Sequence, residues 1–453
     1  MSNKASTPKG TRDFSTLQMI KRKFVLSCIE TSFKNYGFSP IETPAMENIA
    51  TLTGKYGDEG DRLIFKVLNS GDFLSKVNMD EELTSRTIIT KISEKALRYD
   101  LTVPFARFVV QHRNEITFPF KRYQCQPVWR ADRPQKGRFR EFVQCDADVI
   151  GTDSLLCEVE LIQLYDAVFS DLGLKDFEIE FNNRKVLSGI AEVIGEQDRL
   201  IDITVSLDKL DKIGVEKVKE ELVVKGISKE AIEKLEPLFL FNGTNEDKIN
   251  LLSEFLKGSE IGLQGLNEII FVTDCIKDLG LRTAKLSINI NLARGLDYYT
   301  GAIFEVKTNE VQLGSIGGGG RYDNLTGVFG LNDVSGVGIS FGFDRICIVL
   351  EELGLFPENI FSSVDLMLVN FGEKEGLHCL KLLKALRENG ISAELYPSSL
   401  KLKKQLQYAN NKNIKYVLLV GEKEIESESY TLKNMVDGSQ TNLNLNELIL
   451  TFK

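Results

Sequence analysis

Residues 120–151, FKRYQCQPVWRADRPQKGRFREFVQCDADVIG, constrain the fold more than any other stretch of the chain. Two runs with strand-like alternation flank a polar turn containing Pro134 and Gly137, which predicts an antiparallel hairpin with a long loop. Side chains alternate between the faces of a strand. On the second run Val143, Cys145, Ala147 and Val149 share one face, the expected core face, while Phe142, Gln144, Asp146 and Asp148 share the other. On the first run Gln124, Gln126 and Arg130 share a face. A solvated sheet face would carry similar residues. Arg130, Arg133, Lys136, Arg138 and Arg140 gathered around the loop favour another reading. Such a site holds a polyphosphate at a cationic rim and a donor-rich small molecule on a floor of carboxylates and amides below.

Three further segments fit that pocket. In LRYDLTVPFARF (97–108), Asp100 and Thr102 fall on one face of a short segment expected to be extended before Pro104. In NLARGLDYYTGAIFEV (291–306), Arg294 stands just before Gly295, and Asp297, Tyr298 and Tyr299 lie between Gly295 and Gly301, ahead of the strand-forming Ile303, Phe304 and Val306. Glycine inside a strand pattern marks a bulge or a close approach by ligand or backbone. GSIGGGGRYDNL (314–325) is not a P-loop, because no G-K-[ST] follows the glycines. Its four consecutive glycines predict close backbone approach to a ligand. GVGISFGFDRICIVL (336–350) reads as a strand entering a helix with Arg345 at its start, where an arginine pairs with a surface carboxylate or clamps a phosphate.

At 453 residues the chain has room for about three domains. Helical and strand patterns mix over 1–183, with MIKRKFVLSCIETSFKNYGF helical to Gly37 and a polar, loop-like stretch at 72–95. Residues 184–270 turn to Leu, Lys and Glu at helical spacing, an inserted helical region. Strands return within 271–360, and DRICIVLEELGLF reads as a helix stopped by Gly354 and Pro357. Strand and helix then alternate over 363–453, a small α/β domain.

The same sequence narrows the chemistry. Only two histidines, His112 and His378, occur, neither near a motif, and the seven cysteines form no C-x-x-C pair. Histidine catalysis and a His or Cys metal site are therefore not expected, and reduced thiols point to the cytosol. The polar N-terminus lacks the apolar core of a secretory signal, and no apolar run approaches the ~20 residues that span a bilayer. A net charge of −9 limits phosphate binding to local patches. Two qualify: residues 130–140, and Lys401, Lys403, Lys404, Lys412 and Lys415. A basic cluster alone is more often a solvated face.

RYQCQPVWRADRPQKGRFREF resembles motif 2 of class II aminoacyl-tRNA synthetases, GVGISFGFDR resembles their motif 3, and IETPAMEN around Pro44 resembles the dimer-forming motif 1. ARGLDYYTG together with GGGGRYDNL is the pair characteristic of the histidyl-tRNA synthetase family, which PKGTRDF and LRYDLTVPFAR also match. The resemblance covers essentially the whole chain. It implies an α+β fold: an antiparallel sheet of six or seven strands flanked by helices, a helical insertion, and a C-terminal α/β anticodon-binding domain. It also implies ATP-dependent ligation of L-histidine to tRNA(His) through a histidyl-adenylate, with ATP and Mg²⁺, no organic cofactor, a cytoplasmic homodimer and no membrane.

Carried onto matching positions, the resemblance assigns ATP to Arg130, Glu141 and Arg345, the last on the γ-phosphate. Asp100, Thr102 and Gln144 would hold the histidine α-amino group, with Leu101 also in the histidine site, and Asp148, Tyr298 and Tyr299 would face the imidazole. Arg294 and Arg130 would be catalytic at the α-phosphate and substrate carboxylate, Asp297 structural, and Gln135 would meet the tRNA acceptor end. Tyr99 stands where relatives often have Pro, and 72–95 is longer than the family suggests; neither is expected to touch a ligand contact. The non-catalytic regulatory subunit of ATP phosphoribosyltransferase shares this fold but lacks the C-terminal domain and tends to lose these motifs. An RNA-binding or kinase-regulatory module would not need Arg130, Glu141, Gln144, Arg294 and Arg345 together.

Overall fold

The computed structural model describes residues 5–78, 80, 83–239, 241–293, 298–357 and 364–452. The chain divides into two units, Met1–Leu355 and Phe356–Lys453. In chain order the strands of the first are β1 (Ser39–Pro40), β2 (Met46–Asn48), β3 (Lys66–Val67), β4 (Lys95–Leu97), β5 (Phe120–Trp129), β6 (Glu141–Ile150), β7 (Phe177–Asn183), β8 (Lys285–Ile288), β9 (Ala302–Thr308), β10 (Gly317–Tyr322) and β11 (Gly336–Phe341).

Eight of these form one sheet in the order β1-β5-β6-β11-β10-β9-β7-β8. The inner six strands pair antiparallel, as expected, but β1 and β8 add to the two edges in parallel, giving eight strands rather than six or seven. The β5–β6 hairpin pairs without a bulge from Phe120 opposite Ile150 to Trp129 opposite Glu141. Its alternation therefore survives intact, and each face is fixed by residue parity.

Odd-numbered positions face a helical layer. The Thr16–Asn35 helix, opened by a Ser15–Gln18 capping box, buries Val25, Ile29 and Phe33 and packs against the Leu156–Asp171 and Phe343–Glu352 helices. Phe33 lies 5.2 Å from Tyr123 and 5.7 Å from Phe341, ring centre to ring centre. Each such aliphatic or aromatic side chain contributes roughly 1.5–3 kcal/mol by leaving water. On the same face Arg321 meets buried Glu158 through Nε at 2.5 Å and Nη2 at 2.7 Å.

Even-numbered positions face a second cover, made by the Thr102–Gln111 helix and the small β2-β4-β3 sheet, with Tyr56, Tyr99, Val103, Phe105 and Tyr322 in one apolar cluster. Two expectations fail here. The stretch 72–95 contains a helix, Ser85–Ile92, because Thr84 and Thr87 form a capping box ahead of apolar Ile88, Ile89 and Ile92. Asp100 and Thr102 do not sit on an extended segment: Thr102 opens a helix that holds Pro104 in its first turn, where a missing N–H costs nothing.

Between β7 and β8 every described element is helical, from Arg184–Ile194 to Glu260–Leu279, and the last helix runs unbroken through residue 270. The second unit contains β12 (Leu366–Leu368), β13 (Ala393–Leu395), β14 (Tyr416–Leu419), β15 (Tyr430–Asn434) and β16 (Gln440–Leu443), ordered β13-β12-β14-β15-β16. Leu366 and Leu368 join one core cluster and Met367 and Val369 another, so both faces of this sheet are covered.

Candidate active site

Strand register assembles the floor. One row across the sheet is Arg122, Asp148, Gly338 and Gly320; the next is Gln124, Asp146, Ser340 and Gly318. The polar face is not solvated: Asp146 and Asp148 are 2% exposed and Arg122 is fully buried. Glycines make the room. A Cβ on Gly338 would stand 2.0 Å from Asp148 Oδ1, and one on Gly320 would stand 2.9 Å from Tyr299 Cδ1. The four glycines of 317–320 thus serve mainly the protein's own packing, a change from the expected approach to ligand. Gly319 abuts the Gly338 carbonyl and Gly317 the Tyr165 ring, while Gly318 meets only the Phe304 carbonyl, at 3.5 Å.

Three buried carboxylates stand on or beside this floor. Asp100 Oδ1 accepts from the Tyr56 hydroxyl at 2.8 Å and the Val103 N–H at 3.2 Å, and Oδ2 accepts from Tyr298 at 3.0 Å. Asp148 Oδ1 accepts from Tyr322 at 2.7 Å. Burial pushes all three carboxyls up, Asp146 to about 7, against the pull of Arg122 on Asp146 and Asp148 and of the Tyr56 hydroxyl and Arg130 on Asp100. Burial also raises the Tyr299 phenol, and Asp148, Asp146 and Asp100 raise it further, which puts its hydroxyl in their field. The arrangement suits a small cation or multiple N–H donors.

The rim is cationic. Arg130 donates from Nε to the Tyr99 carbonyl at 3.0 Å and from Nη2 to Gln144 Oε1 at 3.3 Å. Gln144 in turn donates to Ser340 Oγ at 3.0 Å. Glu141 accepts from Trp129 Nε1 at 3.0 Å at the end of the hairpin. Arg345 donates to the carbonyls of Gly137 at 2.9 Å and Ser315 at 2.6 Å, pinning the hairpin loop to the sheet. Next to it, Asp344 gathers Arg22 at 2.6 Å and the Val143 N–H at 2.8 Å, together with Arg12 of the N-terminal KGTRDF stretch. Gln135 turns the loop tip by exchanging backbone bonds with Arg138.

A sequence profile described as histidyl-tRNA synthetase matches residues 10–346, and one described as an anticodon binding domain matches 365–453. The chain belongs to the histidyl-tRNA synthetase family. It is 61% identical over 451 residues to a histidine–tRNA ligase of Christiangramia forsetii, covering 99% of both chains. To one of Flavobacterium johnsoniae it is 57% identical over 469 residues, again covering 99% of each. A solved histidyl-tRNA synthetase from Nostoc sp. PCC 7120 superposes with a TM-score of 0.82 at 30% identity, covering 99% of this chain and 98% of that one. A Bacillus halodurans structure titled ATP phosphoribosyltransferase regulatory subunit/histidyl-tRNA synthetase matches in fold at 19% identity and TM-score 0.71. The regulatory-subunit alternative is less supported at this identity and coverage. The synthetase is an enzyme that charges tRNA with histidine and uses ATP.

Within the synthetase, Asp100, Leu101, Thr102, Arg130, Gln144, Asp148, Tyr298 and Tyr299 converge on one site, with Glu141, Gln135 and Arg345 around the hairpin loop. Arg294, Gly295, Leu296 and Asp297 lie outside the described residues. Residues 298–301 precede β9, so strand alternation does not separate the two tyrosines; their rings meet edge to face at 5.0 Å. Tyr99 does touch a site residue, correcting the expectation above: it bonds Arg130 through its carbonyl and carries the guanidinium 4.4 Å from its ring centre. Sequence reading missed Arg122, Tyr56 and Tyr322. Arg122 was within reach, since period two from Gln124 leads to it and an unbulged hairpin sets it opposite Asp148. Tyr56 carried no such signal.

Proposed function

We propose that this pocket activates histidine as the adenylate with the division of labour that the family resemblance suggests. Arg130 and Arg345 hold ATP phosphates, with Glu141 beside the adenine and Mg²⁺ arriving on the phosphate oxygens as part of the substrate. Asp100, Thr102 and Gln144 surround the α-amino group, with Leu101 supplying backbone. Asp148 and Tyr299 face the imidazole, and Tyr298 holds Asp100. The observation that carries this reading is the chain from Gln144 to Arg130, which links the acidic floor to the cationic rim through a single 3.3 Å bond. The substrate carboxylate is itself the nucleophile, so the protein need supply no base. Its task is to align that carboxylate with the α-phosphate and to stabilise charge on the phosphoryl oxygens, work suited to Arg130 and to Arg294.

Gln135, at the exposed loop tip, is placed in this reading at the tRNA acceptor end, and the 363–453 region reads the anticodon. The segments 1–183 and 271–360 build the catalytic domain around the helical region that begins at 184. The chain works as a cytoplasmic homodimer through the Pro44 segment, supported by Met46, Leu68 and Phe73, which leave 51%, 52% and 39% of their surfaces exposed around one groove. Sedimentation of a fully active monomer at micromolar concentration would remove the dimer from this account. The deciding assay is exchange of labelled pyrophosphate into ATP. Exchange that requires histidine supports the assignment; exchange without histidine, or none, overturns it.

A further inference from the structure

Among the described residues the floor contains one cation, and it is fully buried. Arg122 has no exposed surface, its guanidinium lies 4.2 Å from the Phe105 ring centre, and Nη2 stands 2.7 Å from Asp148 Oδ2. That contact lacks the alignment of a hydrogen bond, so the attraction is chiefly coulombic. Nε and Nη1 have no hydrogen-bond partner among the described residues. A buried, incompletely bonded guanidinium is a costly way to fill space, and a hydrocarbon of similar volume is often as good or better for stability. Its presence calls for a reason beyond packing.

We propose that Arg122 is a positioning residue for histidine recognition, fixing the orientation and the ionised state of Asp148 from beneath. The proposal rests on the reading that Asp148 faces the imidazole. Tyr322 holds Oδ1 at 2.7 Å, Gly338 leaves only the space the carboxylate fills, and Arg122 sits against Oδ2. An ionised carboxylate has about four lone-pair sites, so two protein partners leave acceptor capacity for an imidazole N–H. Burial favours the protonated form of Asp148 and Arg122 opposes it. Without the guanidinium the balance moves toward the protonated carboxyl, which presents a donor where the ring needs an acceptor. Asp146 and Asp100 are the other acids whose charge bears on Asp148 or the floor, and both lie on protein elements that Arg122→Met leaves in place.

The test compares full-length Arg122→Met, Arg122→Lys, Asp148→Asn and the Arg122→Met/Asp148→Asn double variant by histidine-dependent pyrophosphate exchange. Arg122→Met should raise the KM for histidine about tenfold or more while the KM for ATP stays within about twofold, and Arg122→Lys should recover much of the loss. The double variant should be no worse than Asp148→Asn alone, because both changes remove one interaction. A wild-type histidine KM in Arg122→Met, equal losses in both KM values, or additive effects in the double variant would overturn the proposal. If Asp148→Asn itself leaves the histidine KM unchanged, the imidazole assignment falls and this inference with it. If only Arg122→Met is silent, the assignment stands and the inference alone fails. Should Arg122→Met not fold, Arg122→Lys decides: a histidine KM raised about threefold supports the role, and a wild-type value refutes it.

Discussion

Arg130 is held by the residue whose ring it covers: Nε donates to the Tyr99 carbonyl at 3.0 Å, and the guanidinium carbon lies 4.4 Å from the Tyr99 ring centre. The backbone bond sets direction and the ring sets tilt, so the remaining donors point consistently toward Gln144 and the rim. Tyr99→Leu keeps the carbonyl and removes the ring. With cation–π contacts worth roughly 0.5–2 kcal/mol, pyrophosphate exchange should show a several-fold rise in the KM for ATP. An unchanged value would mean the ring only packs.

The two adjacent phenols should respond differently to loss of their hydroxyls. Tyr298→Phe strips a donor from buried Asp100, which should lower stability by about 1–3 kcal/mol and raise the histidine KM. Tyr299→Phe acts on the substrate side, with an expected ten- to hundredfold loss in histidine kcat/KM and little change in ATP KM, roughly 1–3 kcal/mol of binding. Equal, negligible effects from both would take the tyrosines out of histidine recognition.

Asp146 makes stability depend on pH with a defined sign. Its carboxyl is raised from 3.8 to about 7, so the folded chain keeps a proton that the unfolded chain releases near pH 4. Stability therefore falls as pH rises between those values and levels off above about 7. At about 1.4 kcal/mol per unit, Asp146→Asn should remove some 2–4 kcal/mol of that decline. Asp148 and Asp100 are raised too and will keep part of it. Trp129 is the only tryptophan and lies on the hairpin, so urea unfolding at pH 5 and 8 followed by its fluorescence reports on the right unit. Identical pH slopes in both proteins would contradict the assignment.

Deleting residues 363–453 should spare histidine-dependent pyrophosphate exchange and depress charging of tRNA. Every proposed ATP and histidine contact lies before residue 346, and the second unit has its own two-sided core. A truncated chain that stays folded yet loses exchange would break this division of labour.

The hairpin was legible from sequence because ten paired residues without a bulge carry parity from one strand to the next. From that register Gln144, Asp146 and Asp148 fall on one face by parity alone. The 97–108 and 72–95 stretches depart from expectation for local reasons: Pro104 sits in the first turn of a helix, where proline is tolerated, and a Thr84–Thr87 capping box opens a helix inside a polar stretch. Partners such as Tyr56 and Tyr322 reach Asp100 and Asp148 across 44 and 174 residues of chain, and periodicity holds no record of that distance. Tyr298 and Tyr299 stand ahead of a strand that begins only at Ala302, so the glycine-interrupted strand pattern of 291–306 does not set their faces.

Gly338 and Asp148 are a single object in mutational terms. The carboxylate occupies the volume a methyl group would need on the facing strand, so Gly338→Ala, a minimal change of side chain, is closed while aspartate remains. Lengthening Asp148 to glutamate would drive its oxygens either into that backbone or up into the substrate space. The two codons are thus epistatic, since residues in contact do not change independently. Directed evolution toward histidine analogues with bulkier rings will find position 338 closed to any side chain in single-site libraries, and should open it only when 338 and 148 are randomised together.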